Sequence, residues 1–266
     1  MFAFNYHRPD TLDLALATLG ANEDAKLLAG GQTLIATLKQ RLASPSDLID
    51  LASIPGLRGI EVKGDRLVIG AMTRHADVEM SPVVREAFPV LAQVAALIGD
   101  PAVRNRGTIG GSIANNDPSA DYPAACLGLA ATIVTDQRRI EADEFFAGLF
   151  ETALAPIEIV LSVEFPLGGQ GAYEKFPNPA SRFAMAGACV LRGEEVRVAI
   201  TGAGQDGVFR WTEAEEALGA DFSVAALDGL GLSGDDMIGD IHGSGAYRAH
   251  LAGVMTRRAV ARIVGR

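Results

Sequence analysis

The feature that most constrains this chain is a pair of double glycines set beside hydroxyl residues. They lie in Leu27-Leu28-Ala29-Gly30-Gly31-Gln32-Thr33-Leu34 and Gly107-Thr108-Ile109-Gly110-Gly111-Ser112. Glycine has no Cβ, so the backbone can turn tightly or come close to another backbone or a ligand. Either segment alone is as consistent with a plain strand-to-helix connection. As a pair they read as a cradle for a pyrophosphate, with backbone N–H groups and the Thr33 hydroxyl as donors, which fits a dinucleotide cofactor. Charge sharpens this reading. With 33 acidic and 23 basic residues the net charge is -10, which argues against nucleic acid or an anionic membrane surface as a partner. An anion must therefore be held locally, by backbone donors more than by cations.

The 266 residues suggest about two domains, or one large one. Leu12, Ala15, Leu16 and Leu19 at helical spacing, with Asp10 or Thr11 as cap, predict a first helix. Ala25–Ala29 and Asp47–Leu51 read as strands, Thr33–Leu42 as a helix, and a first boundary falls near Leu57. Beyond it, a hairpin through Gly64-Asp65 precedes helices at Ala76–Met80 and Pro89–Ile98. The second glycine segment reads as a turn, leading to a helix over Asp121–Ala130 and strands at Ala131–Thr135 and Ile159–Phe165. From Gly168, the alternation in Val196–Thr201 and a capping box at Thr212-Glu213-Ala214-Glu215 suggest a separate α+β unit, and Tyr247–Val264 reads as helix.

Several other signals are set aside. Gly202-Ala203-Gly204-Gln205-Asp206-Gly207 matches G-x-G-x-x-G, but Val208–Trp211 continues extended where a dinucleotide-binding motif must open a helix, so a turn between strands is expected. His7, His75, His242 and His250 have no metal-site spacing and read as solvated or capping; no Walker lysine or hydrolase serine elbow occurs. The two cysteines, Cys126 and Cys189, match no cluster or zinc pattern. No apolar run approaches the ~20 residues of a membrane span and the N-terminus lacks a signal pattern, so a cytoplasmic location is expected. Asp117 and Asp121 read either as helix caps or as carboxylates for sugar-like hydroxyls, with Pro118 and Pro123 stiffening the segment.

Together, Ala29–Leu34, Thr108–Ser112 and Asn116-Asp117-Pro118-Ser119-Ala120-Asp121 resemble the FAD-binding medium subunits of the molybdenum hydroxylase family, which includes xanthine dehydrogenase and aerobic carbon monoxide dehydrogenase. The likeness runs from Tyr6-His7-Arg8-Pro9 through Tyr173-Glu174-Lys175 to Tyr247-Arg248 and Met255–Ala259. It implies an α+β fold: a vanillyl-alcohol-oxidase-like (PCMH-type) FAD-binding fold with a C-terminal α+β domain. Residues 1–57 and 58–167 would be its N-terminal and middle FAD-binding subdomains, and 168–266 the C-terminal flavoprotein domain. Carried over by position, Ala29, Gly30, Gly31, Gln32 and Thr33 with Thr108, Gly110, Gly111 and Ser112 would hold the pyrophosphate of a non-covalent FAD. Asp121 would contact its sugar-like portion, with Asp117 nearby, Lys175 would lie near the isoalloxazine, and Ile98 and Val160 would be apolar walls. No catalytic or metal-ligating residue is assigned. The chain departs from the carbon monoxide dehydrogenase pattern at Gln32 and Thr33, where histidine and serine stand, and at Phe183, where tyrosine stands near the flavin.

The resemblance further implies a small [2Fe-2S] subunit and a large molybdopterin subunit as partners, commonly paired as a heterohexamer of two such trimers. The flavin subunit would pass electrons from the clusters through FAD to an external acceptor. Two other readings stand beside it: a self-contained FAD-dependent oxidoreductase, and a flavin-free assembly scaffold.

Overall fold

A computed structural model describes residues 1–265. Near the N-terminus, strands Asn5–His7, Asp47–Asp50 and Lys26–Leu28 form a parallel three-stranded sheet with Asp47–Asp50 in the middle. Parallel neighbours need crossover connections, and helices Leu12–Ala21 and Leu34–Lys39 supply them. Thr11 caps the first, its hydroxyl accepting from Leu14 N at 3.3 Å, while Ala15 and Leu19 fill a core with Ile49 and Leu51. The second helix is shorter than its apolar spacing predicts, because Arg41 turns to a φ of 60°.

Strands Ile60–Lys63, Arg66–Gly70, Val160–Pro166, Thr132–Thr135 and Arg139–Glu141 form an antiparallel sheet of five. The first pair is the hairpin expected at Gly64-Asp65, where Gly64 takes a φ of 61°. Against this sheet packs helix Ile109–Asn115, and helices Pro89–Ala96 and Asp121–Gly128, the latter buried at all 8 residues, share the same core. A third sheet, Gln170–Pro177, Ala184–Arg192, Val196–Thr201 and Phe209–Arg210, carries the long C-terminal helix Gly245–Val264 on one face and helix Asp121–Gly128 on the other. Strand Ala184–Arg192 is thus covered on both sides. Ala186, Ala188 and Val190 join the core under the C-terminal helix, whereas Cys189 and Leu191 join the core under Asp121–Gly128. Its small side chains let both helices approach.

Two expectations change. The Gly107–Asn116 segment is mostly helix, Ile109–Asn115, with Gly110 and Gly111 in its first turn instead of a loop. The capping box at Thr212 does not form: Trp211 is the cap residue, and the Glu215 carboxylate accepts from Val198 N at 2.8 Å and pairs with Arg210. The G-x-G-x-x-G segment connects antiparallel strands, as expected, with Gly202 and Gly207 at φ of 79° and 100°.

Buried Arg248 fastens that connection, donating to Gly202 O at 2.7 Å and Met185 O at 2.9 Å and pairing with Asp240 at 2.7 Å. Removing it strands two buried carbonyls. Arg248→Met is expected to cost on the order of 3 kcal/mol of unfolding free energy, measured by urea denaturation, since a broken buried pair leaves uncompensated polar groups.

Candidate functional site

A cleft of about 510 Å³ opens where the first unit meets the second, within the size range of cofactor sites. It is lined by Ala29–Leu34, by Thr108 and Gly110–Ser112, by Asp117 and Asp121, and by Ile98 and Val160. Thirteen of the fourteen residues singled out in the sequence therefore share one wall system, as read from that lining. Lys175 is the exception: it lies behind Asp121 and opens on a separate, smaller pocket.

Backbone contact builds the site. A Cβ on Gly30 would strike Arg106 O and fall 2.6 Å from Gly107 Cα, so the two glycine segments interlock main chain against main chain. Gly31 turns at a φ of 72°, a conformation that disfavours other residues. Gly110 serves a different purpose from the one expected. Its φ is not positive, and a Cβ there would sit 2.7 Å from Ala71 O, so its bareness seats the helix on strand Arg66–Gly70 and the residues that follow it.

The donors divide unequally between the segments. Ile109 N donates to Thr73 O at 3.1 Å, Gly110 N to Ala71 O at 2.9 Å, Gly111 N to Thr108 Oγ1 at 3.2 Å and Ser112 N to Thr108 O at 3.0 Å. The second segment, expected to give a row of backbone donors, keeps among the described residues only the Thr108 N–H beside its hydroxyls, Thr108 Oγ1 and Ser112 Oγ. In the first segment, the N–H groups of Gly31, Gln32 and Thr33 engage no acceptor among the described residues. Such main-chain donors turned to a cleft suit a phosphate. The residues present fit a dinucleotide: an open row of N–H groups, facing hydroxyls, and apolar walls at Ile98, Leu154, Ile159 and Val160.

The Asp117–Asp121 segment is held from the C-terminal sheet. Thr201 Oγ1 donates to Ala120 O at 2.7 Å, and Gly202 N to Pro118 O at 2.8 Å. Asp117 accepts from Ser119 N at 2.8 Å, and burial raises its carboxyl's affinity for a proton. Asp121 is no cap, for Ala120 occupies that position. Its carboxylate accepts from Tyr173 Oη at 2.7 Å on Oδ1 and from Lys175 Nζ at 3.0 Å on Oδ2. Burial raises its proton affinity, and the lysine and tyrosine oppose that.

Among the cleft residues that sequence reasoning missed are His75, Phe150 and Glu158. His75, read as solvated or capping, is 5% exposed and packs on Tyr122 with ring centroids 5.3 Å apart. Desolvation, with Arg104 nearby, pushes its pKa down to about 4, so the imidazole stays neutral. Phe150, at a φ of 57°, is placed by Asn116, whose side chain donates to Gly148 O and Glu151 O at 2.8 Å. Glu158 is fixed by Arg138 and Thr135, which hold its carboxyl down to about 2. Their spacing carries no signal; each is brought in by long-range packing. Phe183, noted as a departure, also lines the cleft.

The description FAD binding domain in molybdopterin dehydrogenase matches residues 2–168, and CO dehydrogenase flavoprotein C-terminal domain matches 171–263. The chain belongs to the FAD-binding medium subunits of the molybdenum hydroxylase family. This flavoprotein subunit is 38% identical to the carbon monoxide dehydrogenase medium chain of Hydrogenophaga pseudoflava, over 97% of this chain and 96% of that one. It is 35% identical to the nicotine 6-hydroxylase medium subunit of Paenarthrobacter nicotinovorans, over 97% and 96%. Its fold superposes on carbon monoxide dehydrogenase from H. pseudoflava with a TM-score of 0.90, covering 99% of this chain and 98% of the other at 38% identity. The subunit is thus part of an oxidoreductase, and FAD is its cofactor. No helix among the described residues is long and apolar enough to cross a membrane.

Because His75 stays neutral when folded, the flavoprotein loses stability on acidification. With the folded value below the ordinary 6.5, stability is fully present above about pH 6.5 and falls as pH drops towards 4, on the order of 3 kcal/mol in all. Thermal midpoints measured across that window are expected to fall less steeply for His75→Gln; equal slopes would clear His75 of the effect.

Proposed function

We propose that this subunit binds one FAD non-covalently in the cleft and relays electrons from the [2Fe-2S] clusters of a small partner subunit to an external acceptor. A large molybdopterin subunit oxidises the substrate, and two such trimers pair as a heterohexamer. The observation that carries the reading is the row of uncommitted N–H groups at Gly31–Thr33, facing Thr108 and Ser112 across interlocked backbone. Residues 1–57 and 58–167 are the two FAD-binding parts, and 168–266 is the flavoprotein domain whose Thr201 and Gly202 steady the Asp121 segment.

Bound FAD supplies the redox chemistry; the protein supplies binding, orientation and electrostatics. Gly31, Gln32 and Thr33 donate backbone hydrogens to the pyrophosphate, and Thr108 and Ser112 add hydroxyls. Ala29, Gly30, Gly110 and Gly111 keep the main chain close enough for them to do so. Asp121, with Asp117 beside it, accepts from the ribityl hydroxyls. Ile98 and Val160 would serve as apolar walls for the cofactor. This arrangement lets a subunit of net charge -10 hold a dianion without a cluster of cations.

Acid precipitation of the purified chain is expected to leave flavin in the supernatant, identifiable as FAD; flavin in the pellet, or FMN, would refute the assignment. Anaerobic substrate is expected to bleach the flavin of the assembled complex and to leave that of the isolated chain unchanged. Bleaching of the lone chain would favour a self-contained oxidoreductase.

A further inference from the structure

Lys175 matches a position expected beside the isoalloxazine, yet the structure gives its ammonium other work. The side chain is only 2% exposed and does not line the cleft. An ammonium has three hydrogens. Here three acceptors surround it: Asp121 Oδ1 at 2.9 Å, Asp121 Oδ2 at 3.0 Å and Leu97 O at 3.0 Å. Two of the hydrogens are engaged, by Asp121 Oδ2 and Leu97 O, and the ammonium does not line the cleft. Asp121, by contrast, does line the cleft, and its carboxylate keeps spare acceptor capacity: Oδ1 accepts from Tyr173 and Oδ2 from Lys175.

Strand geometry makes this arrangement. Tyr173 and Lys175 are two apart on Gln170–Pro177, so both point to the face that meets helix Asp121–Gly128. Gly187, paired with Lys175 in the next strand, leaves the room: a Cβ there would lie 2.6 Å from Tyr173 Oη. We propose that Lys175 is a positioning residue, acting on the cofactor only through Asp121, as the counter-ion that keeps this carboxylate charged and set for one cofactor hydroxyl. The proposal rests on the cleft being the FAD site.

Among the described residues, Lys175 is the positive charge paired with Asp121, while Asp117 lines the same cleft. From the same strand comes Tyr173, and from the next strand Cys189; on the helix of Asp121 itself stand Tyr122 and Cys126, and His75 and Glu79 approach through Tyr122. Burial holds both tyrosines and both cysteines neutral, with Cys189 pushed up to about 12, and holds His75 uncharged down to about 4. Glu79 is paired with Arg104 at 2.7 Å. Without Lys175, the Tyr173 hydrogen bond and the backbone N–H of Asp121 itself are left to oppose protonation of the buried carboxylate.

The test measures FAD dissociation from the full chain for wild type, Asp121→Asn, Lys175→Met and the double variant, between about pH 5 and about 8. Loss of a charge-assisted hydrogen bond is expected to weaken FAD about ten-fold in Asp121→Asn. Lys175→Met is expected to weaken it comparably at low pH and to move the pH at which affinity falls upward relative to wild type. The double variant should match Asp121→Asn within about two-fold and show no titration, as for residues acting through one group. Losses that multiply in the double variant, or a shifted flavin absorption band in Lys175→Met alone, would mean that the lysine touches the cofactor and would overturn the proposal. Should Lys175→Met fail to fold, the double variant, which buries no unpaired charge, gives the decisive comparison with Asp121→Asn. Wild type that binds no FAD would overturn the cofactor reading itself, and this proposal with it; multiplying losses in a chain that binds FAD overturn only the role of Lys175.

Discussion

Gly30 meets the carbonyl of Arg106 and the Cα of Gly107 with no side chain between them. This main-chain contact joins a segment that follows a strand of the parallel sheet to one that precedes helix Ile109–Asn115, and the cleft is the groove left beside it. Around the contact, each polar backbone group is either satisfied internally or turned to the groove. Helix Ile109–Asn115 spends its first N–H groups on Ala71, Thr73 and Thr108, which anchors it; the Gly31–Thr33 loop spends none and stays available. One segment is scaffold and the other is donor, although the two look alike in sequence.

The same division governs charge. A strongly acidic chain can recognise an anion only where its own carboxylates are neutralised or turned away. Glu158 is tied to Arg138 and Thr135, Asp121 to Lys175 and Tyr173, and Asp117 to the N–H of Ser119. The C-terminal sheet takes part in this at a distance, because Thr201 and Gly202 hold the carbonyls around Asp117–Asp121 while Arg248 holds Gly202. Packing on the third sheet therefore sets the geometry of a cleft formed mainly by residues outside it.

Elements with one wet and one dry face were legible. Helix Leu12–Ala21 shows its spacing and its Thr11 cap, and the Gly64-Asp65 hairpin shows its alternation and its turn. Strand Ala184–Arg192 was not, because burial on both faces removes the alternation by which a strand is recognised. Helix Ile109–Asn115 was mistaken for a turn because consecutive glycines disfavour helix; here packing against Ala71 outweighs that propensity. The Thr212 capping box failed for a related reason, since Glu215 finds stronger partners in Val198 N and Arg210 than in its own helix start.

The sequence alone determined that two glycine segments serve close backbone approach, that an anion must be bound without a cationic surface, and which thirteen residues gather at the cleft. The glycine segments and the charge are local properties, carried by residue type and spacing; Ile98 and Val160 came from the family resemblance. Tertiary structure decided which glycine segment keeps its donors, that His75, Phe150 and Glu158 join the wall, and that Lys175 turns to Asp121 and away from the cleft. Each of those outcomes depends on which groups from distant parts of the chain arrive within hydrogen-bonding distance, and that is set by packing between units.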